Sequence, residues 1–404
     1  MLKEYTLKNG VKLIYKKGVS DLTSICISLD AGALRDGKKY GIAHATEHMI
    51  YKGTKNRSEE DINKELSEIF GFQNAMTNFP YVIYYGTLLG EDFKKGIELF
   101  SDIIINPSFE NKGFKEEMDV IIEELREWDE DLEQYLEDKL FLNSFKDRRI
   151  KYPIIGTFDS LETITLKDIK EFYKKTYFPK NTKIAIVTSL DFNVVLDIVK
   201  TYFGQWKNDS EITEKVVYED ICSKVFEDNK NDIKTSKIQI NFPIDSLTNK
   251  EVRALRIFNE YFGEGINSKL FDTLRTKNGL VYDVLTRVCH ENGIKFYKIT
   301  FSTAKENIDK SLALIDKCIL DAKNLKEKTY ESDILKWKKS FRLKRLFREE
   351  QSIVLAKELS TYDTMFNDYK VYTDETENID DIDLDLMVNT IEKVFKNKLV
   401  QIIK

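Results

Sequence analysis

Gly41-Ile-Ala-His44-Ala-Thr-Glu47-His48-Met-Ile-Tyr-Lys-Gly53 places two histidines four residues apart with a glutamate between them. On a helix, positions i and i+4 lie one turn apart on one face, and i+3 joins that face. The spacing predicts a helix over residues 41–52 whose His44 and His48 grip one metal ion from the same side. Glu47 then stands beside the ion, where a carboxylate can take a proton from a bound water. The pattern is H-x-x-E-H, the H-E-x-x-H zinc arrangement in reverse. The chain has three histidines, and two of them fall here. The plainer alternative is a surface helix with two solvated histidines, so the metal reading requires a third ligand elsewhere in the chain.

Composition narrows the classes. At 404 residues the chain is long for one core and predicts two domains, each burying its own. Hydrophobic content of 42% with 33% charged residues is that of a soluble globular protein rather than a disordered one. A net charge of −6 disfavours nucleic acid as a partner and is compatible with cationic peptides. No run of 18 apolar residues occurs, so no membrane span is expected. The opening MLKEYTLKNGVKLIYKK lacks the apolar core of a signal peptide. Cys26, Cys222, Cys289 and Cys318 are scattered without C-x-x-C spacing, which predicts buried free thiols in a reducing cytoplasm and takes cysteine out of the ligand set.

Around the motif, residues 4–16 read as a hairpin turned at Asn9-Gly10, and 24–30 as a strand. Ser58 caps a helix that Gly71 ends, and 73–88 reads as extended, with Pro80 marking an edge or bulge. Helices follow at 91–105 (stopped by Asn106-Pro107), 111–133, 134–144 and 166–177, then a strand at 183–188 and a helix at 192–206. Residues 207–235 are polar, with one connecting strand, and mark the boundary between domains 1–215 and 216–404. The second half then repeats the first. Thr87 to Leu99, a strand end feeding an amphipathic helix, is echoed by Ser302 to Leu314, and each leads to a long charged helix, the second at 328–349. Such an offset is a domain duplication rather than a solenoid. Strands and helices without strict alternation predict an α+β fold, each domain an antiparallel sheet packed with helices. The counterpart of the histidine helix carries Arg253-Ala-Leu-Arg-Ile-Phe-Asn-Glu-Tyr, so metal chemistry belongs to the first domain.

The third ligand is sought on helix 111–133. Glu117 and Glu124 are two turns apart and share a face, with Val120 and Ile121 between them. A carboxylate on an apolar face needs a partner, because an unpaired buried charge is costly. Spacing alone leaves Glu123 and Glu124 open as the ligand.

The chain resembles the pitrilysin-type metallopeptidases, a family that includes insulin-degrading enzyme and the mitochondrial processing peptidase. The likeness runs through TLKNGVKLIY, GIAHATEHMIYKGTKNRS, Asn74-Ala75 with Tyr84-Tyr85, INPSF, FKEEMDVIIEEL, Pro153-Ile-Ile-Gly-Thr157 and ITLKDIKEFYKKTYFPKN. The resemblance implies that Glu124, in Val120-Ile-Ile-Glu-Glu124, is the third zinc ligand beside His44 and His48, one Zn²⁺ per chain. It implies that Glu117 orients the site from outside the ligand set. Glu47 would be the general base of a zinc endopeptidase acting on unfolded peptides, either leader peptides or degradation fragments. In the second half, Leu274-Arg275-Thr-Lys-Asn-Gly-Leu-Val-Tyr282 resembles the family's element whose arginine and tyrosine reach the substrate near the zinc. Without the resemblance, Arg275 is a cation in the last turn of a helix closed by Asn278-Gly279, and Tyr282 an ordinary strand aromatic.

Two-domain members pair into a clamshell chamber in which the arginine and tyrosine face the other subunit's zinc. A chain carrying both elements therefore implies a homodimer, with a heterodimer as the alternative. Substrate would add as a strand at Asn74-Ala75. After Thr77 the family pattern gives way to Asn78-Phe79-Pro80, which bears on the side-chain pocket and not on the metal. Two other readings stand beside this one: a non-catalytic scaffold subunit, and a maturation protease for one modified peptide that works with a partner. The pair Cys289-His290 reads as packing rather than a second metal site.

Overall fold

Two runs of alternating strands each build a sheet. The computed structural model describes residues 2–231, 233–327 and 329–404. In the first sheet, β1 (Leu2–Thr6), β2 (Lys12–Lys17), β3 (Leu22–Leu29), β4 (Phe70–Thr77), β5 (Val82–Leu89) and β6 (Thr182–Thr188) stand in the order β1-β2-β6-β3-β5-β4. In the second, β7 (Lys224–Asp228), β8 (Ser236–Pro243), β9 (Val281–Glu291), β10 (Ile294–Thr303) and β11 (Leu399–Ile403) stand in the order β7-β11-β8-β10-β9. Leaving out the β1 hairpin arm, the two orders and strand directions coincide position for position: β2 is parallel to β6 as β7 is to β11, and every other pair is antiparallel. This is an α+β chain with a duplicated topology. The sheets are not purely antiparallel as expected, because β6 and β11 each return to their sheet only after a long helical crossover, a connection that permits a parallel neighbour.

The first five α-helices are α1 (Ile42–Ile50), α2 (Glu59–Ile69), α3 (Phe93–Ile105), α4 (Phe114–Glu130) and α5 (Leu132–Ser144), and α1 and α4 carry the histidine motif and its facing carboxylates. The chain folds as two compact units. One comprises Met1–Glu127, Tyr152–Val216 and Phe347–Tyr372; the other comprises Trp128–Lys151, Val217–Leu346 and Thr373–Lys404. The single boundary expected near 215 is thus crossed by two segments. Helix Ser352–Phe366 packs across β3, β6 and β5 of the first sheet, burying Leu355, Ala356, Leu359 and Tyr362 against Ile14, Cys26, Ile83, Tyr85 and Val187. Helix α5 packs in the corresponding way on β11 and β8 of the second sheet. Each helix needs a sheet to bury its apolar stripe, and local sequence does not say which sheet that is.

Several local expectations change. The α2 helix ends at Ile69, and Phe70 already belongs to β4, so Gly71 lies inside the strand rather than terminating the helix. Pro80 sits in the turn between β4 and β5, not in a strand. Val120 is 47% exposed whereas Ile121 is fully buried, so only Ile121 shares the inward face with Glu117 and Glu124. Cys26, Cys289 and Cys318 are buried, but Cys222 is exposed. Cys289 and His290 are adjacent on β9, and neighbouring side chains of a strand point to opposite faces, so they cannot share an ion. The second long helix runs Glu331–Glu349; Lys328, where its start was expected, lies outside the described residues. Among the described residues no helix is long and apolar enough to cross a membrane.

Candidate metal centre

Helix α1 is short and held at its start. Gly41 precedes it with φ +91°, and a Cβ there would come within 2.3 Å of the Ile155 carbonyl oxygen, so both conformation and space require glycine. The buried Asp36 carboxylate accepts from the Gly41 and Ala43 N–H groups at 2.8 and 3.0 Å. It thereby satisfies free amides at the positive end of the helix dipole. Ile42, Ala43, Ala45, Thr46, Met49 and Ile50 are buried, which leaves His44, Glu47, His48 and Tyr51 along the remaining face. The i, i+3, i+4 geometry of the motif is therefore realised.

Helix α4 brings the carboxylates. Glu124 Oε2 lies 3.7 Å from His44 Nε2 and 3.6 Å from His48 Nε2. Among the described residues these three form the one group of His, Cys, Asp or Glu donors that could hold a metal ion. Tetrahedral zinc with bonds of about 2.0–2.2 Å would place its ligand atoms roughly 3.3–3.6 Å apart, and the two glutamate–histidine distances fall close to that span while all three ligand atoms lie within 4.8 Å of one another. Glu124 keeps 41% of its side chain exposed, and the site opens to solvent on that side. Structural zinc sites are closed by four protein donors whereas catalytic ones keep a position open, and this group offers three donors with an open side. Glu123, the other candidate from spacing, points away and pairs with Arg126.

Glu117 is nearly buried and its Oε1 accepts from His48 Nδ1 at 2.7 Å, which turns the Nε2 lone pair toward Glu124. Its other oxygen pairs with Lys52, which in turn meets Glu59 at 2.8 Å. Burial alone would raise the Glu117 pKa, but the bonds from His48 and Lys52 outweigh it and hold the carboxyl down at about 2. Burial, reinforced by the neighbouring His48, lowers His44 to about 3 and keeps its imidazole neutral, as a metal ligand must be. Burial also pulls on His48, yet its bond to Glu117 and the charges of Glu47, Glu124 and Glu117 prevail and its pKa rises. His44 Nδ1 is buried with no hydrogen-bond partner among the described residues.

Glu47 lies against a wall of phenols. Its pKa is raised by burial, with the Thr77 hydroxyl opposing and the Glu124 charge adding to the rise. Thr77 Oγ1 donates to Glu47 Oε2 at 2.7 Å. Behind it, Tyr84 and Tyr177 share a hydrogen bond of 2.7 Å between their hydroxyls, and the buried Tyr51 hydroxyl has no partner among the described residues. A carboxylate shifted upward toward neutrality is suited to accept and return a proton.

Thr77, Lys52 and the three tyrosines are absent from the sequence-level set. Lys52 and the tyrosines lie within runs that carry the family resemblance and Thr77 stands two residues past Ala75, but only the fold shows what they touch. Asn74 and Ala75 lie on β4, the strand at the edge of its sheet, and the Ala75 N–H donates to Asn74 Oδ1 at 2.9 Å. In the second unit, Arg275 sits on a π-helical turn, Asp272–Thr276, with Gly279 following at φ +61°. Its guanidinium stacks over Phe271 and Tyr282 at 5.0 and 4.7 Å from the ring centres. Tyr282 is 78% exposed on β9, so it is not a packed strand aromatic.

Comparison with known proteins meets this geometry from outside. Residues 13–158 match the sequence model described as Insulinase (Peptidase family M16), and residues 163–338 match Peptidase M16 inactive domain. An uncharacterized zinc protease of Rickettsia felis is 25% identical over 394 residues, covering 97% of this chain and 94% of that one. The mitochondrial-processing peptidase subunit beta of Saccharomyces cerevisiae is 31% identical over 201 residues, 49% of this chain and 43% of that one. A protease from Helicobacter pylori shares the fold with a TM-score of 0.89 at 22% identity, over 100% of this chain and 99% of that one. The match to an inactive domain falls mainly on the half whose counterpart helix, Asn249–Phe262, has no histidine. With the histidine helix and the duplicated second half each matched by its own model, the chain belongs to peptidase family M16, the insulinase or pitrilysin family.

Proposed function

We propose that the chain is a zinc-dependent endopeptidase that hydrolyses unfolded leader or fragment peptides. The convergence of His44 Nε2, His48 Nε2 and Glu124 Oε2 beside a pKa-raised Glu47 carries this reading. Zinc, when bound, supplies Lewis acidity toward the scissile carbonyl and lowers the pKa of water toward neutrality. His44, His48 and Glu124 hold the ion, and Glu117 fixes the ring of His48. Glu47 takes the proton that water loses as its oxygen joins the carbonyl carbon. The C–N bond then breaks, and Glu47 delivers that proton to the departing amine.

The peptide adds as a further strand on the β4 edge beside Asn74 and Ala75, where main-chain bonds are indifferent to side chains. Four unpaired cysteines agree with a reducing, cytoplasmic setting. The profiling experiment is cleavage of a diverse peptide library by the zinc-loaded chain. Cleavage should stop when a chelator removes zinc and return when zinc is restored, and cleavage indifferent to the chelator would defeat the proposal.

The chain acts as a homodimer in this reading. Arg275 presents its N–H donors to solvent with no carboxylate among the described residues on them, and Tyr282 offers a free phenol beside it. A guanidinium can anchor a peptide carbonyl, and a phenol can donate to a developing oxyanion. As the family resemblance implies, they complete the site of the other subunit. A Glu47→Gln chain mixed with an Arg275→Ala chain should then regain activity after subunit exchange, through one intact site per mixed dimer. A mixture no more active than the two inactive chains apart would remove the trans arrangement.

A further inference from the structure

Thr77 is 30 residues from Glu47 in sequence, yet its hydroxyl donates to Glu47 Oε2 at 2.7 Å. The other polar groups nearby do not share the task. The Tyr84 and Tyr177 hydroxyls bond each other, and the Tyr51 hydroxyl reaches no partner among the described residues. Thr77 is thus the single side-chain donor recorded on Glu47 among the described residues. Glutamate has three side-chain torsions, the last of them broad. Pinning one carboxylate oxygen determines where the other points, and a general base works only when that oxygen comes within about 2.6–3.2 Å of the proton it takes.

Thr77 also has a particular place in the sheet. It is the last residue of β4, pairs with Val82, and follows Asn74 and Ala75 by three and two positions on the strand that forms the sheet edge. β4 has a neighbour on one side only. A peptide that joins its open side would clamp the strand between two ladders of hydrogen bonds, and the residue that holds the base sits at the end of that strand.

We infer that Thr77 is a positioning residue for Glu47, linking the edge strand that receives the peptide to the carboxylate that takes the proton. Substrate binding along β4 then steadies the base, so the contribution of the hydroxyl falls on turnover rather than on binding. The inference rests on the peptidase reading given above, and it supplies a role for a threonine that holds no metal.

The test compares Thr77→Val, which keeps the shape and loses the hydroxyl, with Thr77→Ser, which keeps the hydroxyl. Both zinc-loaded variants are measured beside wild type and Glu47→Gln. Outer-shell partners of metal sites are worth roughly 10- to 100-fold in affinity or activity. Thr77→Val should lose that much in kcat at unchanged KM, with zinc content and melting temperature unchanged, while Thr77→Ser stays near wild type. Crystal structures supply a readout independent of turnover: the Glu47 carboxylate should contact residue 77 in wild type and Thr77→Ser and turn away in Thr77→Val. Should Thr77→Val fail to fold, Thr77→Ala carries the same readouts. A Thr77→Val enzyme with wild-type kcat and an unmoved Glu47, beside an inactive Glu47→Gln, overturns the role of Thr77 and leaves the peptidase reading intact. Wild type as inactive as Glu47→Gln overturns both.

Discussion

Glu47→Gln is expected to keep zinc and to lose roughly 100- to 10,000-fold in kcat, the range that a positioned general acid or base contributes. The substitution is nearly isosteric, and the amide oxygen can still accept from Thr77, so the wall of Tyr51, Tyr84 and Tyr177 behind it has no reason to move. The amide cannot accept the proton that water must lose. The metal donors His44, His48 and Glu124 are untouched. The two readouts therefore part company: zinc per chain by atomic spectroscopy should match wild type while peptide turnover collapses. Retained zinc with near wild-type turnover would take the general-base role away from Glu47. Loss of both would mean that Glu47 helps hold the ion, contrary to its placement at i+3 against Thr77.

The part of this site that lies on one helix is legible in the sequence, because i, i+3 and i+4 convert directly into a common face. His44, Glu47 and His48 are of that kind. The third ligand is legible only to within a residue. Helical spacing brings both Glu123 and Glu124 near the inward face, and the tilt of α4, which buries Ile121 and exposes Val120, is what separates them. Thr77 and Lys52 are a different matter. Thr77 meets Glu47 only because β4 passes beside α1, and Lys52 meets Glu117, 65 residues further along the chain, only because the fold brings α4 to it, so both are products of tertiary packing. The same holds for the exchanged helices. Ser352–Phe366 and α5 each have an apolar stripe, but a stripe does not name the sheet that will cover it. Local glycine and proline signals misled where the sheet took over. After Ile69 the ladder with β5 captures Phe70 directly, and the turn that Pro80 occupies is set by the β4–β5 register. The duplication was readable from one matched segment, and the coincidence of two strand orders extends it to both sheets.

Glu124→Gln should weaken zinc binding beyond the roughly 100-fold that loss of an outer-shell partner can cost, whereas Glu123→Gln should leave it unchanged. The reasoning is geometric. Glu124 Oε2 is 3.6–3.7 Å from both histidine Nε2 atoms, while Glu123 is exposed and spends its charge on Arg126, its neighbour one helical turn along α4. An exposed pair of that kind contributes little to stability, so Glu123→Gln should also fold and melt as wild type does. Glu124→Gln keeps the length of the side chain but exchanges a carboxylate for a neutral amide oxygen, leaving two imidazoles and no anionic ligand for a divalent ion. Competition with a chromogenic chelator gives the two affinities on one scale. If Glu123→Gln were the variant that lost zinc, the ligand would move by one residue, and α4 would have to turn by about 100° about its axis to deliver it. That rotation would pull Glu117 away from His48 and expose Ile121, so the same result would contradict the packing of the whole helix and not the ligand alone.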